Sequence, residues 1–308
     1  MSRNAVARSL ELMVKDAMPP SDCDVASNRD AEPFSVELSS QLQRLMQAIK
    51  RGDLASLAAV LAAAPEVSAG RSSALSAEHA FNGGWWTPLG LASRLGHADV
   101  CRLLLSKGVD QERACAGFTG QDPRRADACE FGSRYRPLHL AAMGRHARTL
   151  QALLEGGADP AATDGSGCTA LYVAARQLSP ECVQVLLEAG SGGTAVGVDA
   201  VNEEEETPMM AALVAWHTAR SLSAIPRVQR TAATASCLII ARLLEAGAKP
   251  NDRVAINPAT GLEVGYSSAL LTALDCGMDD LAALLHLHGA KLPPAEPRRP
   301  ARPESALF

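Results

Sequence analysis

A four-residue pattern that recurs five times constrains the fold of this 308-residue chain more than any other feature. Each copy opens an apolar, alanine-bearing run, and a second apolar run then ends at a glycine. The glycine lies 21 positions after the start of the tetrad in four copies and 40 positions after it in the other. The tetrads begin at Thr87, Arg136, Thr169, Thr207 and Ser268, and the glycines are Gly108, Gly157, Gly190, Gly247 and Gly289. Such self-similarity indicates a repeat architecture.

The chemistry of one unit predicts two short helices joined by a tight turn. Thr87 supplies a side-chain oxygen for the helix N-cap, and the proline after it suits the first helical position, where its missing N–H has no partner. The first helix is predicted over 89–95, Gly96 breaks it, and the second runs from about 99 to 106. Gly108 then provides a left-handed C-cap. Helices of this length cannot bury their apolar faces alone, so the units must stack, which predicts an all-α solenoid.

Composition agrees with a folded chain whose core is aliphatic. Hydrophobic residues make up 47% of the sequence and aromatic residues only 4%, a balance that argues against disorder. The net charge of −5 gives no overall basic field to attract nucleic acid or an anionic membrane. The longest apolar runs are far too short for a membrane-spanning helix. We therefore expect a soluble protein that binds neither nucleic acid nor membrane.

The eight cysteines are scattered, without a CxxC pair or a signal peptide ahead of them, which predicts free thiols in a reducing compartment. We expect a cytoplasmic protein, with the nucleus as the alternative location. Cys115 and Cys129 lie in a loop and are candidates for exposed thiols. Four cysteines fall in helical patterns and are predicted to pack as small hydrophobic residues: Cys101, Cys182, Cys237 and Cys276.

Three runs carry a specific resemblance. Residues Arg136-Pro137-Leu138-His139-Leu140-Ala141 follow the T-P-L-H-x-A pattern, Asp164 to Thr169 form a hairpin approach, and Gly157 to Pro160 form a closing turn. The chain thereby resembles the ankyrin-repeat family, whose units of about 33 residues combine a turn with two antiparallel helices. The resemblance implies an all-α solenoid of about six repeats, several of them degenerate, in which hairpin loops project as fingers.

The predicted ankyrin-repeat domain covers residues 39–292, with repeats near 41–64, 85–110, 134–160, 167–191, 205–251 and 266–292. Residues 1–38 are predicted to be disordered or weakly helical. Residues 293–308 are predicted to form a disordered Pro/Arg-rich tail, and its PxxP patterns leave a polyproline-II ligand as the alternative interpretation.

Several repeats depart from the family pattern. The tetrad histidine is present only at His139, so we expect a less stable and less regular stack. The residues in its place are Gly90, Tyr172, Met210 and Leu271. Successive tetrads start 49, 33, 38 and 61 residues apart, and the excess falls in long loops near 65–86, 109–135, 191–206 and 251–267. A further excess of 19 residues, around 217–235, is predicted to lie between the helices of repeat five and to extend the second, with a break near Pro226.

The resemblance implies a binding surface made by the fingers and the outward side of each first helix, on the concave side of the stack. The matching positions are Trp85, Trp86, Arg94, Leu95, Arg134, Tyr135, Met143, Arg176, Gln177, Glu205, Glu206 and Tyr266. At least one tryptophan ring is expected to pack under the preceding loop, which leaves the other for the partner. The acidic block from Glu203 to Glu206 is either a solvated loop or a site for a partner with a basic region and an apolar anchor.

The sequence contains no complete catalytic, cofactor or metal motif. Gly190 to Ala195 matches a dinucleotide fingerprint loosely, but it follows a helix, whereas a phosphate cradle needs a preceding strand. His286 and His288 lie two positions apart on a helix and so point to different faces, which disfavours a metal site. We expect no enzyme, no cofactor and no bound metal.

The predicted function is therefore that of a protein–protein interaction module, a scaffold or adaptor that acts as a monomer and binds another protein. The first alternative is a regulatory or inhibitory subunit, or an assembly factor, of one enzyme. The second and weaker alternative is an enzyme whose active site lies in the loop insertions. Fold alone does not separate these functions.

Overall fold

The computed structural model describes residues 36–63, 75, 77–82, 84–115, 134–190, 197–222, 225–250, 253–254, 267–275 and 277–291. The chain divides into two compact units, Met1–Ala248 and Lys249–Phe308. The predictions for residues 1–35 and 292–308 lie outside the described residues, as do those for Cys129, Tyr266 and Cys276.

Helices in the described part of the first unit follow one another as five antiparallel pairs. The pairs are α1 Val36–Arg51 with α2 Leu54–Ala63, α3 Pro88–Leu95 with α4 Ala98–Ser106, α5 Pro137–Met143 with α6 Ala147–Glu155, α7 Ala170–Arg176 with α8 Pro180–Gly190, and α9 Pro208–Leu222 with α10 Pro226–Glu245. The predicted helices of repeat two are confirmed to within one residue. Helix α1 begins at Val36, ahead of the predicted start at residue 41. Residues 36–40 contain no glycine or proline that would prevent the helix from extending in this direction.

The pairs stack in two layers. First helices contact the first helices of neighbouring repeats (α1 with α3, α3 with α5, α5 with α7, α7 with α9), and second helices do the same from α4 to α10. Aliphatic side chains from both layers fill the space between them, among them Leu45, Ile49, Leu89, Leu104, Leu150, Leu171 and Ile239. This arrangement confirms the all-α ankyrin solenoid, because each pair buries its apolar face only against its neighbours.

The tetrads begin the first helices as their chemistry predicts. Thr87 Oγ1 accepts a hydrogen bond from Gly90 N at 3.0 Å, and the hydroxyls of Thr169 and Thr207 cap α7 and α9 in the same way. Arg136 has no oxygen to offer and makes no side-chain cap at α5. Its guanidinium instead joins neighbouring parts of the stack, as described below.

Short extended segments precede several of the first helices. Strand β1 (His79–Phe81) pairs with β2 (Gly84–Trp86) in an antiparallel hairpin in front of α3. Single antiparallel bridges join Cys115 to Tyr135 in front of α5 and Thr163 to Thr169 in front of α7. These segments are the fingers that the family resemblance implies.

The insertion in repeat five lengthens both of its helices. Helix α9 has 15 residues, against 8 in α3 and 7 in α5, and α10 has 20 residues, against 9 in α4. The extension of the second helix and the break near Pro226, which begins α10, are confirmed. The placement of the whole excess between the helices is wrong, because the run from His217 to Leu222 continues α9 without a glycine or proline to stop it.

Four of the five cysteines that the structure describes are buried, and Cys237 is half-buried. Cys101 and Cys182 are buried within helices, as predicted, and burial raises the pKa of Cys101 to about 11. The expectation of an exposed thiol at Cys115 is wrong, because the bridge to Tyr135 holds this residue against α3 and leaves it fully buried.

None of the described helices has the length and apolar character needed to cross a lipid bilayer.

The turn between two helices of one repeat packs against the turn of the next. Gly96 ends α3 with a left-handed φ of 81°, and the ring of His146, from the following repeat, lies over it. A Cβ at Gly96 would lie 2.5 Å from Nδ1 of His146. The ring of His97 covers Gly52 of the first repeat in the same manner. These contacts place the turns of repeats one to three along one edge of the stack.

The described part of the second unit contains one further helix pair of the same form. Strand β3 (Arg253–Val254) pairs with β4 (Ser267–Ser268), and β4 leads into α11 (Ala269–Asp275). A turn at Gly277, with φ of 67°, leads into α12 (Asp279–Leu287). Leu270, Ala273, Leu281 and Leu285 are buried within this unit.

We expect Gly96→Ala to destabilise the protein more than Gly108→Ala. Both glycines have left-handed φ angles, so each substitution incurs about 1 kcal/mol of backbone strain. Only Gly96 has a neighbour in the way, and displacing His146 adds about 1–3 kcal/mol, whereas nothing lies within 4 Å of a Cβ at Gly108. Urea unfolding followed by circular dichroism measures the difference. Equal losses in the two variants would contradict the turn packing.

Candidate partner-binding surface

The fingers of repeats four and five are held by the same side-chain turn. Asp164 Oδ1 accepts hydrogen bonds from Ser166 N at 2.8 Å and from Cys168 N at 3.0 Å. Asn202 Oδ1 accepts from Glu204 N at 3.0 Å and from Glu206 N at 2.9 Å. Asp164 and Asn202 each lie five positions before the threonine of their tetrad, so the two turns are equivalent.

One position in this turn has a left-handed backbone. Gly167 occupies it in repeat four with φ of 73°, and Glu205 occupies it in repeat five with φ of 60°. A side chain in this region costs about 1–2 kcal/mol relative to the ordinary right-handed region. The sequence thus keeps a carboxylate at Glu205 where glycine would be less strained.

The fingers are also joined to one another by backbone hydrogen bonds. Gly165 N donates to Arg134 O at 3.3 Å, which links finger four to finger three. Glu203 N donates to Ser166 O at 3.2 Å, which links finger five to finger four. The tips of three successive fingers therefore form a continuous row.

The fourth tetrad residue makes a further link from a first helix to the following finger. His139 is fully buried, and its Nε2 lies 2.9 Å from Cys168 O, to which it donates. Burial lowers the pKa of His139, although the Asp164 carboxylate opposes the effect, so the ring is neutral at pH 7. In repeat two Gly90 leaves the space open, and the Sγ atom of Cys115 fills it.

Repeat four uses a tyrosine for the same link. The Tyr172 hydroxyl donates to Glu206 Oε2 of the next finger. Burial, followed by the charge of Glu206, raises the pKa of Tyr172 well above its usual value, so the hydroxyl remains a donor. Glu206 is half-buried and engaged in this bond, which removes it from the freely accessible acidic residues.

Arg136 joins the two arms of its own finger and links that finger to finger four. Its Nη1 donates to Glu112 Oε2 at 2.7 Å, and its Nε donates to Thr163 O at 3.0 Å. The other oxygen of Glu112 accepts from Asp159 N at 2.9 Å. This charge-assisted network orders the bases of fingers three and four.

The two tryptophans have different environments. Trp86 is only 1% exposed, which confirms the expectation that one ring is buried. The prediction that Trp86 contacts a partner is wrong, because a buried ring is not accessible. Successive residues of β2 face opposite sides, so Trp85 is half-buried with one side towards solvent. Near this hairpin Arg134 is exposed and pairs with Glu78 at 2.9 Å. Tyr135 is half-buried beside Cys115.

The first-helix residues predicted for the surface lie at the opposite end of their helices from the fingers. Arg94 and Leu95 end α3, Met143 ends α5, and Arg176 with Gln177 ends α7. A helix of seven or eight residues is about 11 Å long. The structure therefore does not gather the predicted residues into one cluster but divides them between two edges.

The finger edge is acidic. Glu203, Glu204 and Glu205 of the predicted acidic block are exposed, and the structure adds Asp164 in the neighbouring turn. We call Glu203, Glu204 and Glu205 the acidic finger. The equal spacing of Asp164 and Asn202 from their tetrads was the sequence signal that could have revealed this ordered turn.

Comparison with known proteins agrees with this geometry. A family model described as ankyrin repeats (3 copies) matches residues 45–164, 120–199 and 138–222, which together cover more than half of the chain. The chain belongs to the ankyrin-repeat family. An ankyrin repeat domain from Acinetobacter baumannii has a similar fold, with a TM-score of 0.57 at 22% identity, covering 80% of this chain and 98% of that one. Ankyrin repeats are protein–protein interaction modules, and this is the coarse function of the chain.

Two curated relatives are similar over part of their length. NF-kappa-B inhibitor delta of Mus musculus is 30% identical over 215 residues, which cover 65% of this chain and 64% of the relative. The B-cell lymphoma 3 protein homolog of Mus musculus is 31% identical over 159 residues, which cover 52% of this chain and 29% of the relative. The chain thus spans less than two thirds of either relative.

Protonation of His139 should weaken the fold below neutral pH. The unfolded chain binds a proton near the ordinary histidine pKa of 6.5, whereas the folded chain resists it because the ring is buried. The contribution that the neutral His139 ring makes to the free energy of unfolding is therefore fully present above that pH, and it is lost as the pH falls below it. We expect the free energy of unfolding to fall less between about pH 7.5 and about pH 5.5 in His139→Gln than in the wild type. His146, whose pKa burial also lowers, retains part of the dependence. Urea titrations at both pH values test this, and parallel losses would contradict it.

Replacing Glu205 by glycine should stabilise the protein by about 0.5–1 kcal/mol, because glycine removes the left-handed strain but adds freedom to the unfolded chain. Glu204→Gly is the matched control, since Glu204 has no positive φ. This control should leave stability unchanged or lower it. Thermal unfolding measures both variants, and a gain in the control alone would contradict the assignment of strain to Glu205.

Proposed function

We propose that the chain binds a basic segment of a protein partner along its finger edge, with the acidic finger as the main charged contact. Glu203, Glu204 and Glu205 are exposed, and no ion pair joins them to a cation within the described residues. The observation that carries the proposal is that these carboxylates stand on a turn fixed by Asn202 and bonded to finger four.

Order in this turn favours binding over simple solvation. A mobile acidic loop would lose conformational entropy on binding, whereas the bonded turn has already lost it. Uncompensated negative charge also accelerates encounter with a basic partner and makes the association sensitive to salt. The apolar anchor of the partner has a place beside Trp85 and Tyr135, which are both half-buried in neighbouring fingers.

The relatives favour a regulatory role over that of a general scaffold. One of them is named as an inhibitor of NF-kappa-B, and the aligned region covers 65% of this chain. We therefore infer that this chain regulates one partner protein, without catalytic activity of its own. Action as a monomer in the cytoplasm or nucleus is part of the same proposal.

Affinity purification tests the proposal with two charge-reversal variants. The finger variant combines Glu203→Lys, Glu204→Lys and Glu205→Lys. The control combines Asp99→Lys, Glu181→Lys and Asp280→Lys, which make the same change in charge at exposed positions in the first turns of second helices, at the opposite ends of the helices from the fingers. We expect the wild type and the control to retain one stoichiometric partner with a basic segment, and the finger variant to bind it about tenfold more weakly at low salt.

The same experiment separates regulator from scaffold. A single stoichiometric partner whose activity changes when the purified chain is added supports regulation, and several partners bound at once support a scaffold. A finger variant that binds like the wild type at every salt concentration would exclude the finger edge as the binding surface.

A further inference from the structure

The turns between first and second helices form a second edge, which we call the turn edge. Direct contacts establish the order of its first three turns. The ring of His97 covers Gly52, its Nε2 lies 3.4 Å from Lys50 O, and the ring of His146 covers Gly96. Because the helices of a pair are antiparallel, this edge lies at the ends of the first helices opposite the fingers.

Basic side chains dominate the turn edge in repeats one and two. Lys50 and Arg51 end α1 and are exposed, and Arg94 is in the last turn of α3. The nearby acidic groups are already engaged. Asp53 accepts hydrogen bonds from Ser56 and Ala55, and hydrogen bonding to Ser56 lowers its pKa. Asp99 pairs with Arg102 at 3.2 Å. Asp53 stays charged and offsets one of the three cations Lys50, Arg51 and Arg94, so the residual charge along these two turns is positive.

Repeat three has arginines where helix stability favours the opposite charge. Arg145 and Arg148 are exposed at the start of α6, where the helix dipole is positive and acidic residues are stabilising. The first turn of α6 contains no acidic residue. Arg145 also has a left-handed φ of 59°, at the place that Gly96 occupies in the preceding repeat. The unfavourable charge at the start of α6 and the left-handed backbone of Arg145 both lower the stability of this turn. We infer that these arginines have a role other than stabilising the fold.

The extended helices of repeat five continue this pattern. Arg227 and Arg230 lie in the first turns of α10 and are exposed, again at a positive helix end without an acidic residue in the first turn. The same tip exposes apolar side chains: Leu222 is 54% exposed and Ile225 is 60% exposed. Repeat five thus adds an apolar contact to the basic edge.

We propose that the turn edge binds an acidic polypeptide segment that also carries apolar side chains. Packed helices are about 8–10 Å apart, and a polyproline-II segment advances about 3.1 Å per residue with about three residues per turn. An acidic residue at every third position of such a segment therefore lies on one face and meets one turn after another. The apolar side chains of the segment contact Leu222 and Ile225 at the tip of repeat five. The proposal adds a second surface and does not depend on the acidic finger.

A polypeptide fits this edge better than a nucleic acid does. Single-stranded nucleic acid binds through aromatic stacking as well as charge, and the described residues of the five turns include no exposed Phe, Tyr or Trp. Trp216 is buried, with Arg220 over its ring at 5.6 Å. A long polyanion would also extend past the turn edge and come into contact with the exposed carboxylates of the acidic finger, which a short acidic segment avoids.

Fluorescence anisotropy with a defined probe tests the proposal on the full chain. The probe is a labelled peptide of about 14 residues, with glutamate at every third position and leucines near one end. We expect salt-sensitive binding to the wild type. The double variants Arg145→Glu/Arg148→Glu and Arg227→Glu/Arg230→Glu should each bind about tenfold more weakly. The control Lys107→Glu/Arg113→Glu makes the same change in charge at exposed positions outside the turns and should bind like the wild type. Circular dichroism confirms that each variant is folded.

Several outcomes would overturn the proposal. Binding that is equal in the turn variants and the wild type would show that the turn edge is not the site. Tighter binding of labelled single-stranded DNA or of phosphatidylserine vesicles, lost in the same variants, would assign the edge to a different ligand. Self-association of the wild type in sedimentation velocity that depends on these arginines would assign it to the fingers of a second copy. The finger variant, which tests the other surface, should bind this peptide as well as the wild type does.

Discussion

A helix of seven or eight residues cannot bury its apolar face alone, and this limit determines how the first unit is built. The short first helices α3, α5 and α7 lie against the first helices before and after them, and the second helices from α4 to α10 pack against one another in the other layer. Buried side chains such as Leu89 and Leu150 are covered only because a neighbouring repeat is present. Every other feature, including the positions of the fingers and turns, depends on this stacking.

The link from one repeat to the next is preserved although the tetrad residue that makes it changes. His139 donates to the backbone of the following finger, Tyr172 donates to Glu206 of the finger after that, and Gly90 admits Cys115. In repeats two and four the substitution is matched by a residue 25 and 34 positions later, namely Cys115 and Glu206. The expected loss of the histidine bonds is therefore offset by different contacts in repeats two and four.

The sequence was sufficient for the helix pairs and insufficient for much of the surface. Thr87, Gly96 and Gly108 each act through local chemistry, so the limits of α3 and α4 could be predicted closely. The burial of Trp86 rather than Trp85 depends on the register of β2 with β1. These strands lie in a long loop whose sequence has no periodicity from which the register could be predicted. The buried position of Cys115 likewise depends on its bridge to Tyr135, which is twenty residues away.

The acidic finger was visible as a run of four glutamates, but only the structure divides that run. Glu206 is bonded to Tyr172, and Glu205 has a left-handed φ that local sequence does not reveal. The basic turn edge was missed for a different reason. Its residues are single cations or close pairs separated by whole repeats, so no single window of the sequence contains the whole set. Only stacking brings Arg94, Arg145 and Arg176 to one edge.

The two edges have opposite charge because of side chains rather than backbone. At each edge the end of one helix meets the start of the other, so the helix dipoles of a pair largely cancel there. The edges are separated by at least the length of a first helix, about 11 Å, which exceeds the Debye length of about 8 Å at physiological salt. A charged segment bound to one edge therefore exerts little electrostatic effect on the other. Any coupling between the two surfaces has to pass through the packed helices of the repeats that they share.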